Sequence, residues 1–319
     1  SSPKHPAGIS MRILRNIEEI TPDLNGGMVT IGNFDGIHVA HQKIINRMVR
    51  EARESGRKGI VVTFEPHPQH VLHPEKVPFY LITSLAEKLS ILESMGVDAV
   101  LLIHFTREFS RTSAEEFVKD IIWGKLHPLK VLIGHDYTFG KGKEGKPEYF
   151  KSLGSRLGFE VEITEAVVME GGIVSSTRIR HAIQAGDMRL AARLLGRPYC
   201  MRGTVIKGHR RGGLLGFPTA NLKTEKELLP KPGVYAVFVQ MGSECHEAVL
   251  NIGFNPTFSN EKLSVETHIL DFNQNIYGKG IKISFIERLR DEKKFNSIER
   301  LSEQIAQDIE KARKILKRT

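Results

Sequence analysis

The chain changes its grammar once, near Gly186, and that change constrains its fold more than any single motif. Up to Gly186 short β-rich runs alternate with amphipathic segments, and Met28–Ile31, Ile60–Phe64, Val97–Ile103, Val131–Gly134 and Phe159–Ile163 read as strands. Between them the spacing predicts helices: one with Ile37, Ile44, Ile45, Met48, Val49 and Ala52 on a single face, others opened by the capping pairs Ser84/Glu87 and Ser113/Glu116, and a last one over Thr177–Ala185. Alternating strand and helix implies a mostly parallel sheet with helices on both faces. Beyond Gly186, Asp187–Leu195 is expected as one connecting helix, ended by Gly196, Arg197 and Pro198. Short strands then recur between turns, at Met201–Lys207, Val234–Met241, Glu247–Asn251, Ser264–Leu270 and Ile281–Ile286, which argues for a barrel or sandwich. A final helix, capped by Asn296 with Glu299, carries Ile298, Leu301, Ile305, Ile309, Ala312 and Leu316 as one stripe expected to cover the barrel. The expected organisation is a first domain over 11–186, a linker over 187–200 and a second domain over 201–319.

At 319 residues there is chain enough for two such domains, each with its own core. Hydrophobic residues at 40% and charged residues at 26% exclude a disordered chain. No apolar run approaches the roughly 18 residues that span a bilayer. Residues 1–10 lack the apolar stretch of a secretory signal and are expected to be an appended segment ahead of a native Met11. Cys200 and Cys245 are far apart, so neither a zinc site nor a disulfide framework is indicated, and a reducing cytoplasm is the default. Lysine and arginine exceed aspartate and glutamate by 46 − 37 = +9, which favours polyanionic partners without naming one.

The sharpest local feature of the first domain is Gly32-Asn33-Phe34-Asp35-Gly36-Ile37-His38-Val39-Ala40-His41, which leaves a strand and enters a helix. Glycines let backbone amides approach an anion, and a helix N-terminus presents unpaired N–H groups at the positive end of its dipole. His38 and His41, three apart, project to one side, where imidazoles donate to charge building on a phosphoryl group. Ser175-Ser176-Thr177-Arg178 opens another helix with hydroxyls and a guanidinium that suit a triphosphate. Gly140, Gly142 and Gly145 fit a dinucleotide fingerprint and Gly140–Lys146 the start of a P-loop, but no strand leads directly into them and Pro147 stands where a magnesium-binding hydroxyl belongs.

In the second domain Gly203-Thr204-Val205-Ile206-Lys207-Gly208 leads through a glycine-rich stretch to Gly216-Phe217-Pro218-Thr219-Ala220-Asn221. Loop glycines wrap phosphates, and Thr219 with Asn221 offers two neutral oxygens to a hard cation such as Mg²⁺. In Ser264–Leu270, alternation puts Glu266 and His268 on the polar face; by pattern alone Glu266 is a solvated surface carboxylate.

These stretches resemble a family. The histidine loop is similar to the His-x-Gly-His signature of nucleotidyltransferases, with Ala40 in the glycine position, and Ser175–Arg178 to that superfamily's pyrophosphate clamp. Gly134-His135-Asp136-Tyr137-Thr138-Phe139-Gly140 resembles the flavin-side loop of bacterial FAD synthetases, with Tyr137 where phenylalanine is usual, and Glu65–Pro68 and Phe105–Phe109 match that family in order. Phe217–Asn221 resembles the Pro-Thr-Ala-Asn signature of riboflavin kinases, and Arg288–Phe295, with Arg290, the loop bordering their flavin. The resemblance implies a Rossmann-like nucleotidyltransferase domain joined to a riboflavin-kinase-like β-barrel. It implies two ATP-dependent steps, riboflavin to FMN and FMN to FAD with release of pyrophosphate. It implies Glu266, His38 and His41 as catalytic residues, Mg²⁺ at Thr219 and Asn221, and the small molecules riboflavin, FMN and ATP as partners, with no membrane. It also implies nucleotide or flavin contacts from Gly32, Asn33, Phe34, Asp35, Asp136, Ser175, Ser176, Thr177, Arg178, Gly203, Lys207, Gly216, Phe217 and Arg290. Two other readings stay open: a kinase whose adenylyltransferase domain is impaired at Ala40, and, suggested by the charge, a flavin-responsive RNA-binding regulator.

Overall fold

A computed structural model describes residues 10–75, 79–206, 219–257 and 260–318, apart from the side chains of 254–262. The chain divides into two compact units, 1–175 and 176–319. The division falls about one helix before the expected change at Gly186, so the helices on either side of that glycine both belong to the second unit.

The first unit is built on six parallel strands, β1 (Arg12–Leu14), β2 (Met28–Ile31), β3 (Gly59–Glu65), β4 (Ala99–His104), β5 (Lys130–Gly134) and β6 (Glu160–Thr164), in the order β1-β4-β3-β2-β5-β6. The edge strand β1 had no sequence signal. Strands buried on both faces alternate between two cores. Ile60, Val62 and Phe64 of β3 face one core and Val61 the other; Leu101 and Ile103 of β4 oppose Val100 and Leu102 in the same way. One core is closed by α1 (Val39–Glu54), through Ile44, Ile45, Met48, Val49 and Ala52, and by α3 (Leu85–Ser94), with the short α2 (Pro68–Leu72) between them in the chain. Ile37 is fully buried but lies ahead of the helix, in the loop, a correction to the expected helical face. Both bonds of the Ser84/Glu87 capping box are made. The Ser113/Glu116 box also forms, but the helix it opens, α4 (Ala114–Glu116), passes at once into a wider π-helix over Phe117–Leu126. That segment and α5 (Pro147–Leu157) cover the second core. A small hairpin, β7 (Val168–Met169) with β8 (Gly172–Ile173), ends the unit.

The second unit opens with α6 (Ser176–Ala185) and α7 (Met188–Leu195), the latter capped by Asp187. Its barrel is closed and antiparallel, β9 (Tyr199–Ile206), β10 (Ala220–Lys223), β11 (Gly233–Met241), β12 (Glu244–Thr257), β13 (Asn260–Ile269) and β14 (Gly280–Arg290), in the order β10-β13-β12-β11-β14-β9. The short β10 had not been expected, and it is the strand that closes the cylinder against β9. The helix expected as a linker, α7, buries Met188, Ala191, Leu194 and Leu195 and packs on β9 and β14. The closing helix α8 (Ile298–Leu316) is capped by Ser297, one residue after Asn296, because the Ser297 hydroxyl accepts the Arg300 amide. Its stripe packs on Val234, Ala236, Val249 and Leu289 through Ile309, Ala312 and Leu316, while Ile298 stays exposed.

Candidate active sites

Strand order places the first site. From β2 the chain crosses to β3 on one side, and β5 pairs with β2 on the other, so the order reverses between β2 and β5. Ligands bind outside the carboxyl ends of strands at such a switch point. The histidine loop leaves the carboxyl end of β2 and the Gly134–Gly140 loop that of β5, while Glu65–Pro68 and Phe105–Phe109 follow β3 and β4. Four motifs separated in sequence are thereby gathered at one end of one sheet.

The histidine loop is held in an unusual shape from behind. Phe34 (φ 49°) and Ile37 (φ 38°) adopt left-handed backbone without being glycine, beside Gly36 at φ 87°. Such residues cost on the order of 1–3 kcal/mol each and persist where the surroundings over-determine them. Here both are buried. A Cβ on Gly32 would stand 3.0 Å from the Phe34 ring, so the phenyl folds over the glycine. The buried Asp35 carboxylate accepts from the amides of Ile82 (3.0 Å) and Thr83 (3.2 Å), and the Thr83 hydroxyl accepts from Gly36 N–H (3.1 Å). Asn33 is exposed, but its carbonyl points inward, taking hydrogen bonds from Lys88 Nζ (2.8 Å) and the Thr63 hydroxyl (3.3 Å). Gln42 Nε2 donates to Ile37 O (2.8 Å). Phe34 and Asp35 thus shape the loop from inside the protein.

His38 is buried and is the N-cap of α1: its Nδ1 accepts the backbone N–H of His41 at 3.3 Å. A nitrogen that accepts carries no proton, so the neutral ring bears its hydrogen on Nε2 and presents it as a donor. The two imidazoles stack with centroids 3.5 Å apart, and Phe34 meets His41 edge-on. Burial, with His38 and Lys88 nearby, holds His41 well below the ordinary histidine value, and its Nδ1 is buried without a hydrogen-bond partner among the described residues. Ala40 is half-buried in the first turn of this helix.

On the β5 side Asp136 is exposed beside His135. Gly140 presses against α4: a Cβ there would lie 2.5 Å from Ala114 N. Glu144 fastens the same loop by accepting from that amide at 2.8 Å. Tyr137 stacks on Phe139 (5.6 Å, 9°); its hydroxyl is buried, which pushes its pKa up, and has no hydrogen-bond partner among the described residues. Ser175 is the last residue of the first unit, and Ser176, Thr177 and Arg178 form the first turn of α6 in the second.

In the second unit the ladder register assembles the site. Asn221 on β10 lies directly opposite Glu266 on β13, and Asn251 on β12 opposes Glu266 from the other side. Directly opposed residues share a face with Cβ atoms about 4.5–5.5 Å apart. Glu266 therefore stands between two carboxamides, while Val265, Thr267 and Ile269 turn into the barrel and are buried. Thr219 immediately precedes β10. In sequence Asn251 marks only the family order ahead of Glu266 and carries no site role, since register across strands leaves no trace in spacing. Gly203 has a structural cause of its own: a Cβ would meet Lys223 O at 2.5 Å, where β10 closes on β9. Arg290 is wholly engaged, with Nε and Nη2 on the buried Asp308 carboxylate (2.8–3.0 Å) and Nη1 on Asp291 O (2.9 Å). Lys207, Gly216 and Phe217 lie outside the described residues. Among the described residues no cluster of three or more His, Cys, Asp or Glu side chains could hold a metal.

A parallel sheet with an anion-ready histidine loop at its switch point, followed by an antiparallel barrel with a carboxylate between amides, defines a two-unit enzyme working on phosphate-bearing nucleotides. Residues 20–178 match the family model for FAD synthetase, and residues 195–316 that for riboflavin kinase. The bifunctional riboflavin kinase/FMN adenylyltransferase of Bacillus subtilis is 39% identical over 290 residues, 89% of this chain and 91% of that protein. That of Pseudomonas fluorescens is 37% identical over 304 residues, 95% of this chain and 97% of its own length. A solved structure from Streptococcus pneumoniae, described as a macrolide-efflux protein, superposes with a TM-score of 0.87 at 35% identity, covering 96% of this chain and 99% of that one. The chain belongs to the family of bifunctional riboflavin kinase/FMN adenylyltransferases. It phosphorylates riboflavin to FMN and adenylylates FMN to FAD, with ATP as co-substrate of both steps.

Proposed function

We propose a division of labour in which His38 and His41 serve adenylyl transfer and Glu266, with Thr219 and Asn221, serves the kinase step. One observation carries it: the two sets lie in different compact units, each where its own sheet or barrel concentrates donors and acceptors.

In the first unit an FMN phosphate oxygen attacks the α-phosphorus of ATP, the bond from that phosphorus to the bridging oxygen breaks, and pyrophosphate leaves. His38 donates Nε2–H to the non-bridging oxygen that gains charge, and the rigid loop keeps the donor in place beforehand, so little reorganisation is needed at the moment of reaction. Asp136, exposed on the β5 loop, faces the flavin side on the strength of its motif, and Ser175–Arg178 resemble a pyrophosphate clamp in sequence.

In the second unit Glu266 accepts the proton of the riboflavin 5′-hydroxyl as that oxygen attacks the γ-phosphorus, and ADP departs with the electron pair of the broken bond. Thr219 and Asn221 suit Mg²⁺: a hydroxyl, an amide oxygen and the adjacent carboxylate are hard oxygen donors, and a site with few protein ligands leaves room for phosphate oxygens. When bound, Mg²⁺ supplies neutralisation of phosphate charge. Asn221 orients, and Glu266 moves the proton. Arg290 acts at one remove, fixing the Asp291 segment beside the barrel. The cytoplasm, where ATP is made and used, is the compartment these substrates imply.

Glu266→Gln is expected to abolish FMN formation and spare FAD formation from supplied FMN, and His38→Ala to do the reverse. An assay that follows riboflavin, FMN and FAD together reads both. Joint loss from either substitution refutes separate sites.

A further inference from the structure

Among the described residues, Lys88 is the buried ammonium close to the histidine loop that the mechanism above leaves unused. It sits on α3, 5% exposed, and among the described residues its Nζ makes a single hydrogen bond, to Asn33 O at 2.8 Å. An ammonium has three donors. Removing a charge from water is costly unless it is paired and hydrogen-bonded, so a lysine retained at such a position with most of its donors unspent has an electrostatic task.

We propose that Lys88 is a positioning residue of the adenylyl-transfer site: its ammonium fastens the phosphate loop through the Asn33 carbonyl and projects its charge through that loop toward the incoming phosphates. Fixed charge in a low-dielectric, water-poor setting acts more strongly on developing phosphate charge than the same charge in solvent. The bond to Asn33 also helps hold Phe34 and Ile37 in their left-handed conformations. A further consequence concerns the imidazoles. The ionisable groups around His41 are His38 on its own helix and Lys88 on α3, while Asp35 in the loop and Glu65 at the end of β3 face Lys88. The lysine charge repels a proton from His41, and Asp35 and Glu65 keep that charge on the lysine against the desolvation that opposes it. The resting site thus concentrates its positive charge behind the loop and disfavours a proton on His41.

This inference rests on the assignment of the histidine loop to adenylyl transfer, and the two fail differently. If that assignment is wrong, His38→Ala leaves FAD formation intact; if only the Lys88 inference is wrong, His38→Ala still abolishes it. Lys88→Met removes charge and hydrogen bond, Lys88→Gln removes the charge but keeps an amide donor, and Lys88→Arg keeps the charge. In the full-length protein, folding being checked by thermal unfolding, the two neutral variants are expected to lower kcat for FAD formation from FMN about 10- to 100-fold, the scale of a misplaced site. Lys88→Arg is expected to remain within a few-fold of wild type. Imidazole resonances of His41, followed by NMR as pH is varied, should titrate at higher pH in the neutral variants and unchanged in the arginine variant, which a merely space-filling lysine would not cause. Unmoved His41 titration in the folded neutral variants overturns the proposal. Should both fail to fold, Lys88→Arg decides: a folded arginine variant that keeps FAD formation within a few-fold of wild type supports a role for the charge, and one that loses it about 10-fold or more overturns the proposal.

Discussion

Residues of one chemical type behave differently here according to what surrounds them, and the two tyrosines Tyr199 and Tyr137 make the point. The Tyr199 hydroxyl is buried and donates to Leu228 O at 2.5 Å; that of Tyr137 is buried and, among the described residues, donates to nothing. A buried polar atom without a partner forfeits its hydration and gets nothing back, at about 1–3 kcal/mol. Tyr137→Phe is therefore expected to stabilise the first unit by about 1 kcal/mol, seen as a rise in its thermal unfolding midpoint. An unchanged or lowered midpoint would mean that the hydroxyl has a role the apolar ring cannot replace. The same comparison explains why Asp35, read from sequence as a nucleotide contact, spends its carboxylate on Ile82 and Thr83: a charge so deeply buried is held by backbone amides, and the loop it organises does the presenting.

At the scale of elements, two supporting helices, α3 and α8, each carry a charge inside an apolar stripe. On α3 the spacing Leu85, Lys88, Leu92 puts the lysine among the leucines; on α8 the spacing Leu301, Ile305, Asp308, Ala312 does the same for the aspartate. That signal was present in the sequence and went unread, because a stripe is usually searched for its apolar members. Asp308 answers Arg290, and the pair ties α8 to the end of β14 just ahead of the Asp291 segment. Removing one partner of a buried pair leaves an uncompensated charge, at roughly 3–5 kcal/mol. Asp308→Ala is expected to destabilise the second unit by about 3 kcal/mol and to raise KM for riboflavin in the kinase assay, with FAD formation from FMN unaffected. A variant with wild-type stability would show that α8 is held by its apolar contacts alone. Element types were legible where caps and periodicity agreed, as for α3, and where a long apolar face stood alone, as for α1. The short strands β1 and β10 were not, since three or four residues carry too little periodicity.

For the whole molecule, the division into two units makes acid sensitivity local. In the unfolded chain His41 takes up its proton near the ordinary value of about 6.5. In the folded first unit, burial, His38 and Lys88 hold its pKa well below that. Between the two values the unfolded chain binds the extra proton, so stability falls as the pH drops through that window and is fully present above it. The first unit is expected to lose thermal stability as pH is lowered from about 7 toward about 5, and His41→Gln to flatten that dependence. Differential scanning calorimetry across the range checks this, and an equally steep decline in the variant would assign the acid sensitivity to other groups.

What could be read from the linear chain was whatever depends on neighbours in sequence: alternation, capping boxes, the glycine-flanked histidines, and the threonine and asparagine spaced for a cation. These sufficed for two domains of the right architecture and for the candidate chemistry of each. Folding alone settled which residues meet. It set Glu266 between Asn221 and Asn251 by ladder register, brought the loops after β2 and β5 to one switch point, and gave the Asp35 carboxylate and the Arg290 guanidinium partners within their own units. The physical reason is that hydrogen-bond register and burial are properties of pairs far apart in the chain, and a carboxylate or guanidinium looks the same in sequence whether its partner is a substrate or a buried amide.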